Sequence, residues 1–180
     1  MSQLRAATTA DVPELQRLIA RSVRGLSVGM YSPAQTEAAL VHVFGVDTQL
    51  VADETYYVIE EDSGIVAAGG WSARRTMYGG DQAKHEVDSL LDPATEPARI
   101  RAFFVHPDWT RRGLARRLFT ACESAARARG FHAFELVSTL PGEPLYRALG
   151  FAPIEPIPVP LPGELVLPCL RMRLELDDVS

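Results

Sequence analysis

Thr110-Arg111-Arg112-Gly113-Leu114-Ala115 is the stretch of this chain best suited to holding an anion. The first backbone N–H groups of a helix have no partner within it, and the helix start carries partial positive charge, so phosphate oxygens are stabilised there. Gly113 has no Cβ to keep an anion off the backbone, and Ala115 keeps the first turn slim. Arg111, Arg112, Arg116 and Arg117 add positive charge around the mouth. Taken alone, a basic turn with an incidental glycine accounts for the six residues equally well. A second group with chemistry is Tyr146, a phenol that ionises at about 10 and so stays a proton donor at neutral pH. A core tyrosine is the plain alternative.

Two strand–helix units must position these groups. Ile100, Ala102, Phe103, Phe104 and Val105 form an apolar run of strand length, and Pro107, with no N–H, ends its ladder. From Leu114 the apolar spacing becomes helical: Leu114, Leu118, Cys122 and Ala125 share a face, with Ala121 beside them. Phe131 to Thr139 reads as the next strand. Glu143 to Leu149 reads as a short helix that carries Tyr146 and ends at Gly150, where a C-cap glycine belongs.

Val105-His106-Pro107, Thr110-x-x-Gly113-x-Ala115 and Leu118, followed by Pro144-Leu145-Tyr146-Arg147-Ala148-Leu149-Gly150-Phe151, resemble the two motifs of the GNAT N-acetyltransferases. The chain departs from the first motif at Thr110, where that family usually has Gln or Arg; Arg111 stands next to it. The resemblance runs from about Leu4 to Leu174. It implies an α+β fold, a mixed and mostly antiparallel sheet flanked by helices, with its central strands splayed. It implies acetyl-CoA as co-substrate, with no metal. Backbone groups of Phe103 and Val105 then pair with the pantetheine arm, and the turn of Arg111, Arg112, Gly113, Leu114, Ala115 and Arg116 holds the pyrophosphate. The Val105 N–H receives the thioester oxygen and Tyr146 acts as general acid. The implied reaction is direct acetyl transfer to a primary amine of a small molecule or peptide. The base is not identified: Glu60, Asp81, His85, Glu86, Asp88 and His106 are candidates, as is a water relay.

The remaining elements follow from local signals. Leu4 to Ala7 reads as a strand. Thr9 or Asp11 caps a helix with Val12, Leu15, Leu18, Ile19 and Val23 inward, punctuated by Gly25 and Gly29. Ser32-Pro33 opens a second helix with Ala34, Ala38, Val41 and Phe44 as its stripe. Thr48 to Ala52 is a turn or short helix. Tyr56–Ile59 and Ile65–Thr76 form a hairpin, and Gly69-Gly70 marks a bulge or a close backbone approach. Trp71 and an Arg at 74 or 75 either face an acceptor cleft or serve packing and surface. Residues 76–98 are too irregular for a hairpin loop and read as a substrate or lid loop. With Leu26–Tyr31 they are expected to shape the acceptor pocket. The prolines at 153, 156, 158, 160 and 162 read as an extended connector, and Val166 to Leu176 as the last strand.

Composition bounds the rest. With 180 residues, 47% hydrophobic and 23% charged, one globular domain spanning 1–180 is expected, with residues 177–180 as a frayed tail. No run reaches the roughly 18–20 apolar residues of a membrane helix, and the start of the chain has no apolar signal core, so a cytoplasmic protein without membrane partners is expected. The net charge is -5, yet residues 99–129 hold eight arginines against Asp108 and Glu123. Local positive charge on an acidic chain suits a small polyanion better than nucleic acid. Cys122 and Cys169 lack metal or disulfide spacing. Two rival functions stay open: a catalytically silent acyl-CoA-binding sensor, and acetylation of aminoacyl-tRNA. A homodimer also stays open.

Overall fold

The structure, a computed structural model, describes residues 2–178. Seven strands form one sheet: β1 (Gln3–Ala6), β2 (Tyr56–Glu61), β3 (Gly64–Ser72), β4 (Ala98–Val105), β5 (Ala133–Thr139), β6 (Ala152–Pro160) and β7 (Val166–Glu175). Their spatial order is β1-β2-β3-β4-β5-β7-β6, and every neighbouring pair is antiparallel except β4 and β5. The expected mixed, mostly antiparallel α+β architecture is therefore present. One face carries α1 (Val12–Leu26), α2 (Pro33–His42) and α3 (Thr48–Ala52), and the other carries α4 (Leu114–Ala128) and α5 (Glu143–Ala148).

The helices form where capping and periodicity agree. Ser32 accepts from the Gln35 N–H at 3.1 Å while Gln35 reaches back to the Ser32 N–H at 2.8 Å, a reciprocal cap that starts α2 at Pro33. In α1, Leu15, Leu18, Ile19 and Val23 are buried as read, joined by Ser22. The α2 stripe differs: Thr36 and Ala39 are buried, while Val41 is 63% exposed and Ala34 is exposed. The helix docks through its 36/39/43 face because Ala39 and Val43 meet the β6–β7 hairpin. In α4 the stripe of Leu114, Leu118 and Cys122 is buried, with Phe119 and Ala126 added.

The prolines of residues 153–160 are a correction. They belong to a paired edge strand, not a connector. Pro153, Pro156, Pro158 and Pro160 lie opposite Met172, Leu170, Pro168 and Val166 of β7, all even positions. A register shift between Pro153 and Glu155 keeps Pro153 in phase with the others. The hydrogen bond from Leu161 N–H to Leu165 O puts the inward-facing amides at odd positions. Each proline thus stands where its missing N–H would have faced outward, the place an edge strand tolerates it and resists further pairing.

Gly69 and Gly70 each serve a close approach. Between the pairs Ala68–Phe104 and Gly70–Arg101, β3 has one residue and β4 has two, so Ala102 and Phe103 bulge opposite Gly69. A Cβ on Gly69 would stand 2.1 Å from the Phe103 ring, and one on Gly70 would stand 2.3 Å from the Thr55 carbonyl oxygen. Asp177 and Asp178 follow β7 without regular structure. The rest of the tail expected to fray, residues 179 and 180, lies outside the described residues.

Candidate active site

The bulge in β4 opens the sheet. β4 and β5 pair only at Ala98–Phe134 and Arg99–Glu135, after which β5 continues along β7 alone. His106 N–H donates to Val66 O at 2.8 Å, so the even positions of this part of β4 face β3. Val105, and Phe103 by alternation, therefore direct their backbone groups into the gap. The resulting cleft has a volume of about 640 Å³ and is walled by both strands, α1, α5 and the start of α4.

At one end lies the turn before α4. Gly113 sits at the N-cap with φ +76° and Arg111 with φ +61°. Only glycine takes such angles without strain, so Arg111 is held there at some cost. No side chain caps α4, and open space surrounds the Cα of Gly113. Gly113, Leu114, Ala115 and Arg116 line this end of the cleft, so the unpaired amides of the first turn of α4 suit phosphate oxygens there. Arg111 and Arg116 line this end. The Arg112 side chain does not: its guanidinium lies 4.4 Å from the Trp109 ring centroid and donates to Asp108 O.

Tyr146 stands at the middle of the cleft wall. Gly150, at φ +102°, ends α5, and Phe151 N–H reaches back over it to Tyr146 O at 3.0 Å, which fixes the segment. The Tyr146 ring packs on Phe103 and Phe151, with centroids 6.0 and 5.9 Å away. Burial pushes its phenol up to about 12, and the nearby Phe103 backbone amide offsets part of that rise. The phenol is thus a proton donor throughout the neutral range.

A side chain of α1 holds the Val105 N–H. This amide donates to Ser22 Oγ at 3.2 Å. Ser22 is buried and lines the cleft, and it carries no sequence signal beyond lying on the inner face of its helix. The amide beside the phenol is that of Phe103.

Of the loops expected to shape an acceptor pocket, Leu26, Ser27 and Met30 line the cleft from one side, and Met77, Tyr78 and Gly79 from another. Residues 76–98 are strapped to the body. Arg101 bonds both Asp47, at 2.9 Å, and Gly79 O. Lys84 bridges Asp47 and Asp88, and Asp81 accepts from the Thr48 amide and hydroxyl. Trp71 is buried against Phe131, Arg74 pairs with Asp53 and Arg75 with Glu96, so none of the three walls the cleft. Glu60, Asp81, His85, Glu86, Asp88 and His106 also stand outside its lining. Burial pushes the thiols of Cys122 and Cys169 up, the latter to about 11, which suits packing and not nucleophilic attack. Among the described residues no cluster of His, Cys, Asp or Glu could hold a metal ion, and no helix is long and apolar enough to cross a membrane.

The geometry has counterparts. The model of a family described as acetyltransferase (GNAT) domain matches residues 52–153, more than half of the chain. No curated protein matches the sequence. Among solved structures, a GCN5-related N-acetyltransferase from Rhodopseudomonas palustris is 18% identical with a TM-score of 0.71, over 98% of this chain and 96% of that one. PaiA N-acetyltransferase from Thermoplasma acidophilum, in complex with coenzyme A, is 12% identical with a TM-score of 0.66, over 97% and 99%. A GNAT family acetyltransferase from Brucella melitensis, in complex with acetyl-CoA, is 15% identical with a TM-score of 0.58, over 100% and 91%. At these identities the likeness is one of fold.

Proposed function

This chain belongs to the GNAT acetyltransferase family, and on that premise we propose that it carries an acetyl group from acetyl-CoA directly to a primary amine of a small molecule or peptide. The observation that carries the reading is the continuous path from the uncapped start of α4, along the open edge of β4, to the Tyr146 phenol. The coenzyme A complex of the Thermoplasma protein and the acetyl-CoA complex of the Brucella protein, which share the fold, support the same co-substrate here.

In this mechanism the amides of the Arg111–Arg116 turn hold the pyrophosphate, and the backbone of Val105 pairs with the pantetheine arm. The amine nitrogen bonds to the acetyl carbon, and the carbonyl oxygen gains negative charge that a fixed N–H must stabilise. In this reading the Val105 amide takes that role once the incoming arm displaces Ser22, since the Phe103 amide already serves the Tyr146 phenol. The C–S bond then breaks, its electron pair leaves on sulfur, and Tyr146 supplies a proton to that sulfur. The proton lost by nitrogen restores the phenol through solvent.

Thiol release from acetyl-CoA over a panel of amines tests the reading, with acetyl-CoA binding measured alongside by calorimetry. Acetyl-CoA-dependent release that requires an amine is the expected result. Binding with no release from any amine identifies an acyl-CoA sensor instead. Transfer confined to charged tRNA points to the third reading, which the acidic net charge disfavours.

A further inference from the structure

Among the described residues, no ionised side chain lines the acceptor end of the cleft. Beyond Tyr146 and Phe103 the wall is made by Val23, Met30, Phe44, Met77, Val137 and Leu167. Polar atoms there come from Ser27, Tyr78, Thr139 and Cys169. The titratable groups facing this end are Tyr78 and Cys169, with Tyr146 at its entrance and Tyr31 behind Cys169. Burial raises all four, so each is neutral across pH 6–9. The arginines that line the cleft, Arg111 and Arg116, are at the opposite, α4 end. Asp47 lies outside the cleft lining, in a small adjoining recess that shares Phe44 and Gly79 with it, and its charge is met there by Arg101 at 2.9 Å and Lys84 at 2.7 Å.

Hydrogen bonds brace this end. The Tyr31 hydroxyl accepts from Leu140 N–H at 2.9 Å and donates to Pro168 O at 2.6 Å. Gln35 Nε2 donates to Val166 O at 2.8 Å. These bonds tie the segment between α1 and α2, and the first turn of α2, to β7 and to the loop after β5.

An ammonium ion in such a pocket loses its hydration and gains no counter-ion, which disfavours it strongly against the neutral amine. A carboxylate or second ammonium on the acceptor meets the same penalty. Building on the acetyl-transfer reading above, we propose that the acceptor is a small primary amine with an uncharged apolar body, aralkyl or branched aliphatic, and that it reacts as the free base without a protein general base. Nitrogen then enters with its lone pair available and bonds to the acetyl carbon, the C–S bond then breaks with its electron pair on sulfur, Tyr146 protonates that sulfur, and the proton lost by nitrogen restores the phenol through solvent. Met30 and Met77, unbranched and adaptable, suit an apolar body of varied outline.

The test uses the full chain and follows thiol release from pH 6 to 9. Its panel holds ω-phenylalkylamines of increasing chain length, an arylamine already deprotonated at pH 6, an aliphatic diamine, an α-amino acid and a short peptide with a free N-terminus. Expected for the phenylalkylamines is a kcat/KM that rises about tenfold per pH unit and about fourfold per added methylene until the pocket fills. The arylamine profile should be flat. The diamine, amino acid and peptide should be slower by ~100-fold or more, the penalty of a second charge with no counter-ion. Met77→Glu should raise KM for the phenylalkylamines at least about tenfold and narrow the gap to the diamine, with acetyl-CoA affinity unchanged as proof of folding. Efficient transfer to the diamine, amino acid or peptide overturns the substrate class and leaves acetyl transfer standing. A flat pH profile for the phenylalkylamines overturns the free-base step. Acetyl-CoA bound with no amine acetylated overturns both readings together.

Discussion

Ser22 Oγ lies 3.2 Å from the Val105 backbone nitrogen, on the edge of β4 that β5 has left uncovered. In the free protein the hydroxyl satisfies an amide that would otherwise be unpaired in a buried gap. A pantetheine carbonyl that pairs with Val105 must displace it. Ser22→Ala removes the competitor, so acetyl-CoA should bind about twofold to tenfold more tightly, the worth of one hydrogen bond. The free protein should lose about 1 kcal/mol of stability. Calorimetry and denaturant unfolding read the two effects, and weaker binding would show that the hydroxyl serves the bound arm instead.

Tyr146→Phe keeps the ring that packs on Phe103 and Phe151 and removes only the proton donor. If the phenol is the acid, kcat should fall about 100-fold, while acetyl-CoA affinity holds. Burial, opposed in part by the Phe103 amide, pushes the phenol up to about 12, so no loss of activity from its ionisation should appear below about pH 10. The sign for stability follows. The folded state holds this proton more tightly than the unfolded chain, so stability falls as pH rises from about 10 toward 12. In Tyr146→Phe that alkaline loss should shrink.

The anion cradle is tested by a pair of substitutions at Gly113, where a Cβ would meet nothing within 4 Å. Gly113→Ala strains only the φ of +76° and should cost about 1 kcal/mol of stability with little change in acetyl-CoA affinity. Gly113→Glu adds a carboxylate where pyrophosphate is proposed to sit and should weaken acetyl-CoA binding more than about tenfold. Equal affinity for the two variants would refute the cradle.

Asp47 holds down the segment that walls the acceptor end, because Arg101 and Lys84 both bind its carboxylate. Asp47→Asn leaves the buried Arg101 with no carboxylate partner, while Lys84 keeps Asp88. It should cost about 3 kcal/mol, a fall in Tm of roughly 6–12 °C for a domain of this size. Arg74 holds the Asp53 carboxyl below its usual range, and at Asp88 the Thr76 and Lys84 contacts outweigh burial to do the same. The stability from these two carboxylates is present above about pH 4 and is lost as pH falls below it. Melting curves from pH 3 to 7 check the direction.

Much of this architecture is legible in the residues, for identifiable reasons. The Ser32-Pro33 start, the periodicity of α4 and the C-cap at Gly150 are local signals, and each forms where it reads. The two glycine motifs at Gly113 and Gly150 bracket the site because turn and cap geometry depend on few neighbours. What escapes is set by tertiary context. The prolines of β6 read as a connector because sequence does not reveal which strand edge faces solvent. Ser22 reads as an ordinary helix residue, and only the arrival of β4 beside α1 gives its hydroxyl a partner. The Asp47–Arg101–Lys84 group joins residues that are 37 to 54 positions apart, beyond any local pattern.

Gly69 and Gly70 separate the two duties of the bulge. A methyl group on Gly69 would run into the Phe103 ring at 2.1 Å, and the ring would have to swing away from the position it shares with Tyr146. The open edge of β4 would shift with it. Gly69→Ala should therefore weaken acetyl-CoA binding about tenfold and lower kcat, with an overpacking cost of about 1–3 kcal/mol. A methyl on Gly70 meets the Thr55 carbonyl oxygen at 2.3 Å, which is backbone and cannot rotate aside. Gly70→Ala should cost more stability than Gly69→Ala, while the protein that remains folded keeps near-normal acetyl-CoA affinity, since Gly70 lies outside the cleft lining. Unfolding curves and calorimetry on both variants test the contrast. If both lose affinity only in proportion to their stability, the bulge supports the fold and does not tune the cleft.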